Sequence, residues 1–465
     1  MQTRDRFVDA LRALGTVAVV LLHWLMPVVS WDGQRFDIGN ALAGDGGWAV
    51  TWVAQIMPLM FFAAGCATYG SLRRATDGWS FLRRRLGRLL WPIGVFLAVW
   101  AVAGPALVAA GVPWAAVRRA AGTAPQLLWF VAVYLLVLAC APLFGRLHGR
   151  YRWKVLVALA ACAVAVDVAR FATGMSELGY VNAVFVWLIP HQLGFFYADG
   201  TLTGWSRRRL VAVAGAGVAV LAGLVVFGPY PASMIGMPGA AMSNMNPPTV
   251  CLVALTSYQI ALALLLKPLV LRLPHRPVAW LQRHSMTVYL WHLTAAFLVF
   301  GVLLLGLGVR LPAPGTPAWW LSRPLWLGGL AVLLAVFVRA FRWAEQHDVR
   351  LPRPRVGLLG YLGLACLLGA LLLVVTGGTL PPLDRGVDAV LRSDQALAVL
   401  LGSLGVALGV LARRPADGTA GGAPASVSTG APAGEPVVGP AVVPLVAPVR
   451  RVPELAGAGP VRSAP

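Results

Sequence analysis

The chain has 465 residues, 58% of them hydrophobic and only 12% charged, with a mean hydropathy of +0.75. Soluble domains carry about 25% charged residues, so a water-soluble globule of this size is nearly excluded, and so is disorder over most of the chain. The 38 Lys and Arg against 17 Asp and Glu, formally +21, would suggest nucleic acid in a soluble protein, but must first be weighed against membrane topology.

A crossing helix needs about 20 apolar residues, and a window of that length finds about twelve candidates. They lie near 9–29, 49–70, 89–110, 124–144, 154–171, 181–198, 209–228, 248–269, 286–308, 323–343, 356–376 and 395–412. The fold class expected is an all-α polytopic membrane protein, a bundle of about 10–12 transmembrane helices with a cytoplasmic N-terminus. Arg4 and Arg6 precede the first apolar run as in a signal peptide. Arg12 and His23 interrupt that run and no small-x-small site follows, so a retained helix is expected.

With the N-terminus inside, the segments Arg73–Arg88, Arg146–Lys154, Arg207–Arg209, Lys267–Arg283 and Arg339–Arg355 face the cytoplasm, as do both termini. The other side holds Arg35, Arg118, Arg119, Arg170, Arg310, Arg323, Arg385 and Arg392, leaving 30 of the 38 cations inside. That is the positive-inside bias, and it makes DNA or RNA binding an unnecessary hypothesis. Beyond Arg413 the chain is Ala, Gly, Pro, Ser and Val without helical period, a flexible cytoplasmic tail. The division expected is a main membrane domain over 1–345, two additional helices over 346–412 and the tail over 413–465.

Titratable residues at membrane depth are costly and mark places to look for function. In VDALRALGTVAVVLLHWLMP, Arg12 and His23 are eleven residues apart, about 16 Å of rise and three turns plus roughly 20°. They share one helical face, with Asp9 at i−3 to Arg12 and able to pair with it. The plain reading is that Arg12 reaches lipid headgroups and His23 bonds a carbonyl. The functional reading is a proton-transferring imidazole inside a bundle.

Later segments extend this pattern. MPLMFFAAGCATYG carries Phe61, Phe62 and Gly65, and FLRRRLGRLLWP carries Phe81, Arg84, Arg85, Arg88 and Pro92. PQLLWFVAVYLL carries Leu128, Trp129 and Phe130, and HSMTVYLWHLTAAF carries Ser285, Tyr289, Leu290 and His292. With Asp9, Arg12 and His23 at the start, these elements in this order resemble the acyltransferase 3 family of integral membrane acyltransferases, over about residues 5–345. Ala64 stands where serine is common in that family, which departs from its pattern. VWLIPHQLGFFYADG, with Pro190, His191, Gln192, Gly194 and Asp199, and the Ala/Val/Arg/Gly-rich composition resemble an actinobacterial-looking subgroup.

The resemblance implies a plasma-membrane enzyme that uses acyl-CoA, by family analogy acetyl-CoA, as a co-substrate. It needs no bound cofactor or metal and acylates a hydroxyl, most often on a carbohydrate. His23 would be general base or transient acyl carrier, and Arg12 a binding and orienting group. Arg84, Arg85 and Arg88, spaced i, i+1, i+4, would offer one cationic surface for coenzyme A phosphates. Ser285, Tyr289 and His292, at i, i+4 and i+7, share a face that could position the acceptor or bond His23; Asp9 and His191 would support. The plainer readings are topology for the arginines and helix–helix hydrogen bonding for Ser285.

Other polar groups have plain readings. Asp167 and Arg170, at i and i+3, are expected to form an ion pair, and Asp32, Asp37, Asp45 and Glu177 to be solvated. Cys66, Cys140, Cys162, Cys251 and Cys366 lie in apolar runs without metal-ligand spacing and read as small core residues. Tryptophans near helix ends, among them Trp24, Trp48, Trp52, Trp91, Trp129, Trp319 and Trp320, read as an interfacial belt, one or two of them able to stack on a sugar. The alternative is a twelve-helix secondary transporter. FGRLHGRYRWK faintly resembles a major facilitator loop, but it lacks the aspartate, and the two halves show no repeat. A metal hydrolase finds no HExxH, and a scaffold would not need Arg12 and His23 in a helix.

Overall fold

The structure is a computed structural model that describes residues 5–33, 36–44, 46–347, 357–380 and 393–411, without side chains at 357–358 and 409–411. Arg35, Asp45, Arg385, Arg392, the end of the Arg339–Arg355 segment and the tail over 413–465 lie outside the described residues. The helices are α1 (Arg6–Leu25), α2 (Gly47–Ala54), α3 (Met57–Leu72), α4 (Gly78–Ala109), α5 (Trp114–Thr123), α6 (Leu128–Tyr151), α7 (Trp153–Thr173) and α8 (Asn182–Ala198). They continue with α9 (Arg207–Phe227), α10 (Val250–Leu265), α11 (Lys267–Val270), α12 (His275–Arg283), α13 (Ser285–Phe300), α14 (Pro317–Gln346), α15 (Gly357–Gly377) and α16 (Asp394–Leu411).

Among the described residues ten helical segments are long and apolar enough to cross a membrane, and α10 and α16 are shorter apolar helices. Together they match the twelve expected spans, and the protein is a multi-pass membrane protein. Its outward faces are apolar: on α14, Leu321, Leu325, Val332 and Val336 are 58–83% exposed, a stripe that only a lipid environment leaves unpenalised.

Several elements differ from the sequence expectation. The first span stops at Leu25, because Pro27 cannot continue the ladder, and Pro27–Trp31 pairs antiparallel with Phe36–Asn40 as a β-hairpin (β1, β2). The second span is broken between α2 and α3. The Gln259 Nε2 of α10 donates to the carbonyls of Trp52, Val53 and Gln55 (3.2, 3.4 and 2.9 Å), satisfying groups that lipid could not. The basic segment expected as a loop is helical from Gly78. Asp77 caps α4 by accepting from the Ser80 amide and hydroxyl (2.7 and 2.8 Å), and these bonds hold its carboxyl below the ordinary range.

Three buried clusters make the core. One joins the C-terminal half of α1 to α4, α6, α13, α14 and α15 through Trp24, Phe96, Trp291 and Leu330. A second joins α3, α6, α7, α8 and α10 through Phe61, Val137, Trp187 and Leu255. The third packs the start of α1 on α3, α8 and α10 through Phe7, Phe62, Phe196 and Leu264. Tyr134 and Tyr289 pack against both the first and the second, marking the seam between them. α3 and α8 touch backbone to backbone, because Gly65 lies against the His191 carbonyl and Gly194 against Phe62, Gly65 and Cys66. α15 packs chiefly on α16 and also on α6.

The turn between α6 and α7 is a single residue, Arg152, with φ 46°, a left-handed conformation uncommon outside glycine. Its guanidinium pairs with Asp199 (3.2 Å) and donates to Thr201 Oγ1 (2.7 Å), while Asp199 also bonds the His148 ring (3.0 Å). Burial pushes the Asp199 carboxyl up, but Thr201, His148 and Arg152 outweigh it and hold the carboxyl below its ordinary range.

Candidate active site

Asp5 starts α1 by accepting the Phe7 and Val8 amides (2.8 and 3.3 Å), and its second oxygen accepts the Tyr197 hydroxyl (3.0 Å), which in turn accepts from Lys267 Nζ (2.9 Å). α1 is thereby anchored to α8 and α11, and its face carries His23 to the seam. There His23 Nδ1 lies 3.0 Å from His292 Nε2 on α13, with the rings stacked at 5.0 Å. His292 is fully buried and His23 half-buried.

The neighbours assign the tautomers. His292 Nδ1 is 2.7 Å from the Tyr289 carbonyl oxygen, which can only accept, so Nδ1 carries the proton and Nε2 of a neutral His292 accepts. His23 Nδ1 must then donate, leaving the lone pair of His23 on Nε2. The geometry therefore presents one basic nitrogen, held by a second ring that cannot take that proton at the same atom.

Two further groups hold the pair. Trp24 Nε1 donates to the His292 carbonyl (3.0 Å) and Trp326 Nε1 of α14 to the Trp24 carbonyl (2.8 Å). The start of α13 is capped from α14: Glu345 accepts the Met286 amide (3.0 Å) and the Thr287 amide and hydroxyl (3.1 and 2.8 Å). A carboxylate at the C-terminal end of its own helix opposes the helix dipole, whereas at the N-terminus of α13 it complements one.

The expected site residues divide. His23 and His292 come together, and Tyr289 joins them through its backbone, its own hydroxyl donating to the Leu127 carbonyl (2.6 Å). Ser285 lies two turns away at the first residue of α13, donating to the Gln282 carbonyl (3.4 Å). Asp9 lines a cavity of about 200 Å³ with Arg6, Leu271 and His275 at the beginning of α1. Arg12 is half-buried between the two levels, its carbonyl accepting the Thr16 hydroxyl.

Arg84 and Arg88 are exposed on α4, but Arg85 turns inward and donates to the Ala67 carbonyl (3.2 Å) and Ser71 Oγ (2.9 Å) on α3. The three arginines therefore do not share one surface. The buried His191, whose ring nitrogens have no partner among the described residues, lies on α8 against Phe195 and faces the Arg85 charge.

Other expectations need correcting. Asp167 and Arg170 make no direct ion pair: the carboxylate accepts from Asn182 Nδ2 (2.8 Å), the Tyr230 hydroxyl (3.0 Å) and the Val250 amide (3.0 Å). Trp24 is buried at 5% exposure, not interfacial, because its indole N–H finds a carbonyl inside the bundle. Cys162 is exposed on α7, so it is not a core residue.

Sequence reasoning missed Glu345, Trp326 and Asp5. For Glu345 a signal existed, a lone carboxylate in the last turn of an apolar helix.

The sequence model of the acyltransferase 3 family, described as an acyltransferase domain, matches residues 5–343. The chain belongs to this family. No curated protein and no solved structure matches. As a member the protein is an enzyme of acyltransferase type, which favours catalysis over the transporter alternative. The matched stretch of this acyltransferase runs from Asp5, the cap of α1, to Trp343 near the end of α14. It therefore contains both histidines.

Proposed function

We propose that this acyltransferase moves an acyl group, acetyl by family analogy, from acyl-CoA on the cytoplasmic side to a hydroxyl of a carbohydrate-type or cell-envelope acceptor. It would do so in the plasma membrane with both termini cytoplasmic. The observation that carries the reading is the His23–His292 contact, which assigns the His23 lone pair to Nε2. In the proposed step Nε2 takes the proton of the acceptor hydroxyl as its oxygen attacks the thioester carbonyl. The C–S bond breaks, and the proton leaves His23 with the coenzyme A thiolate. His292 keeps the lone pair aimed and shares the charge of the transient imidazolium through its bonded ring.

Arg84 and Arg88 support a donor phosphate contact from the exposed face of α4, and Arg12 an orienting contact between surface and base. Arg85 supports the site by tying α4 to α3. Asp9, Ser285, Tyr289 and His191 are assigned supporting roles, Tyr289 through the carbonyl that sets the His292 tautomer.

Purified protein in detergent, given acetyl-CoA and a crude cell-envelope glycan extract, is expected to transfer label, and His23→Ala to reduce transfer by about 10²–10⁴-fold. Turnover that survives in folded His23→Ala would remove His23 from the mechanism. Exchange of label into free coenzyme A without acceptor would assign His23 the acyl-carrier role in place of the base.

A further inference from the structure

The seam that holds the histidines continues into a series of aromatic rings. Tyr289 lies 6.0 Å from His292 and 5.8 Å edge-on from Phe130. Phe130 in turn stacks on Tyr134 at 6.1 Å and 10° and meets Trp129 at 6.3 Å. Behind them Phe61 and Trp187, both essentially fully buried, close the group: Phe61 lies 5.2 Å from Phe130 and 4.9 Å from Trp187, and Trp187 lies 6.0 Å from Trp129.

The front rings differ from this backing. Trp129, Phe130 and Tyr134 are only half-buried, although Tyr134 packs on both core clusters and Trp129 and Phe130 on the second. The indoles of Trp24, Trp52, Trp100 and Trp326 each donate to an oxygen. By contrast, the Trp129 N–H and the Tyr134 hydroxyl have no partner among the described residues and are not sealed from access. A rigid aromatic wall beside a base thus carries two unused hydrogen-bond donors.

We propose that Trp129, Phe130 and Tyr134 form the acceptor subsite and hold a sugar ring of the acceptor against their faces, with the Trp129 N–H and Tyr134 hydroxyl donating to its oxygens. Three occupants could cover aromatic faces, and the donors choose among them. An acyl or lipid chain offers them no acceptor, and a quaternary ammonium would meet positive N–H and O–H edges. A pyranose presents an apolar C–H face to the rings and oxygens at its rim. The inference rests on the acyltransferase reading above and names the residues that select its acceptor.

The test uses the full-length protein in detergent with acetyl-CoA and methyl pyranosides of glucose, galactose, mannose and N-acetylglucosamine, with open-chain sorbitol as a hydroxyl-matched control. Two rates are followed, thioester hydrolysis by water and acetyl transfer. At least one pyranoside is expected to be acetylated with a KM about tenfold or more below that of sorbitol. Tyr134→Phe, which keeps the stacking face, is expected to raise that KM about fivefold, and Trp129→Leu more, with the KM for sorbitol moved less than that for the pyranoside in both.

Transfer with an unmoved KM in both variants, or equal use of pyranosides and sorbitol, would overturn the subsite and leave the acyltransferase reading standing. Wild type that cleaves no acetyl-CoA would overturn that reading, and the subsite with it. If Trp129→Leu does not fold, Tyr134→Phe alone decides.

Discussion

Removing His292 tests whether the second ring matters by holding the first. In His292→Leu the His23 Nδ1–H, now 3.0 Å from an accepting nitrogen, faces a methyl group. Loss of this acceptor costs at most about 1–3 kcal/mol, the penalty of a buried unpaired donor, because His23 also bonds the backbone of Val19. His23 can recover part of that by moving its proton to Nε2 or by turning away, and either removes the lone pair from the acceptor. If the whole penalty falls on the reactive arrangement, kcat/KM drops by about 5–150-fold at 1.4 kcal/mol per decade. His292→Gln places an amide oxygen near the position of the accepting Nε2 and is expected to restore activity to within about threefold of wild type.

The assay is acetyl transfer at several pH values. Loss of Nε2 as the favoured basic site is expected to lower the whole rate profile of His292→Leu and change its shape, which simple loosening of the fold would not do. Wild-type kcat/KM in His292→Leu, or equal losses in the Leu and Gln variants, would refute the assignment of tautomers.

Three other outcomes follow from the packing. Glu345→Ala uncovers the first amides of α13 and is expected to cost about 1–2 kcal/mol, read as a lower Tm in detergent together with a lower kcat. Gly65→Ala puts a Cβ into the His191 carbonyl oxygen and is expected to cost about 3 kcal/mol or more, whereas Gly70→Ala meets nothing nearer than the Arg74 guanidinium at 3.8 Å and should leave Tm unchanged. Asp199→Asn weakens the hold on Arg152 and His148. Because the folded carboxyl is held below its ordinary value, its stabilisation is complete above about pH 4 and lost as pH falls through the folded value. The Tm gap between wild type and variant should therefore close in acid, and a constant gap would contradict the pairing.

The spans were legible in the sequence because lipid demands long apolar runs, and His23 was legible because an imidazole in such a run is expensive. Two kinds of feature were not. Helix breaks such as that between α2 and α3 depend on a distant side chain, Gln259, which no local window contains. The grouping of residues on one helical face predicts direction but not partner: Ser285, Tyr289 and His292 do share a face, yet only His292 meets His23, because α13 begins at Ser285 and crosses α1 higher up. The arginines show the same limit, since Arg85 is the one whose turn position points at α3. Trp24, adjacent to His23, was read as interfacial from its place near a helix end, when what decides its role is a carbonyl on α13.

Residues 23 and 24 of one helix both grip residue 292 of another, one through its ring and the other through its backbone. A single contact would act as a pivot, about which the imidazole could swing out of line. Two contacts of different direction remove that rotation, and the Trp326 bond to the Trp24 carbonyl extends the same bracing to a third helix. The histidine pair is therefore held to α1, α13 and α14 at once.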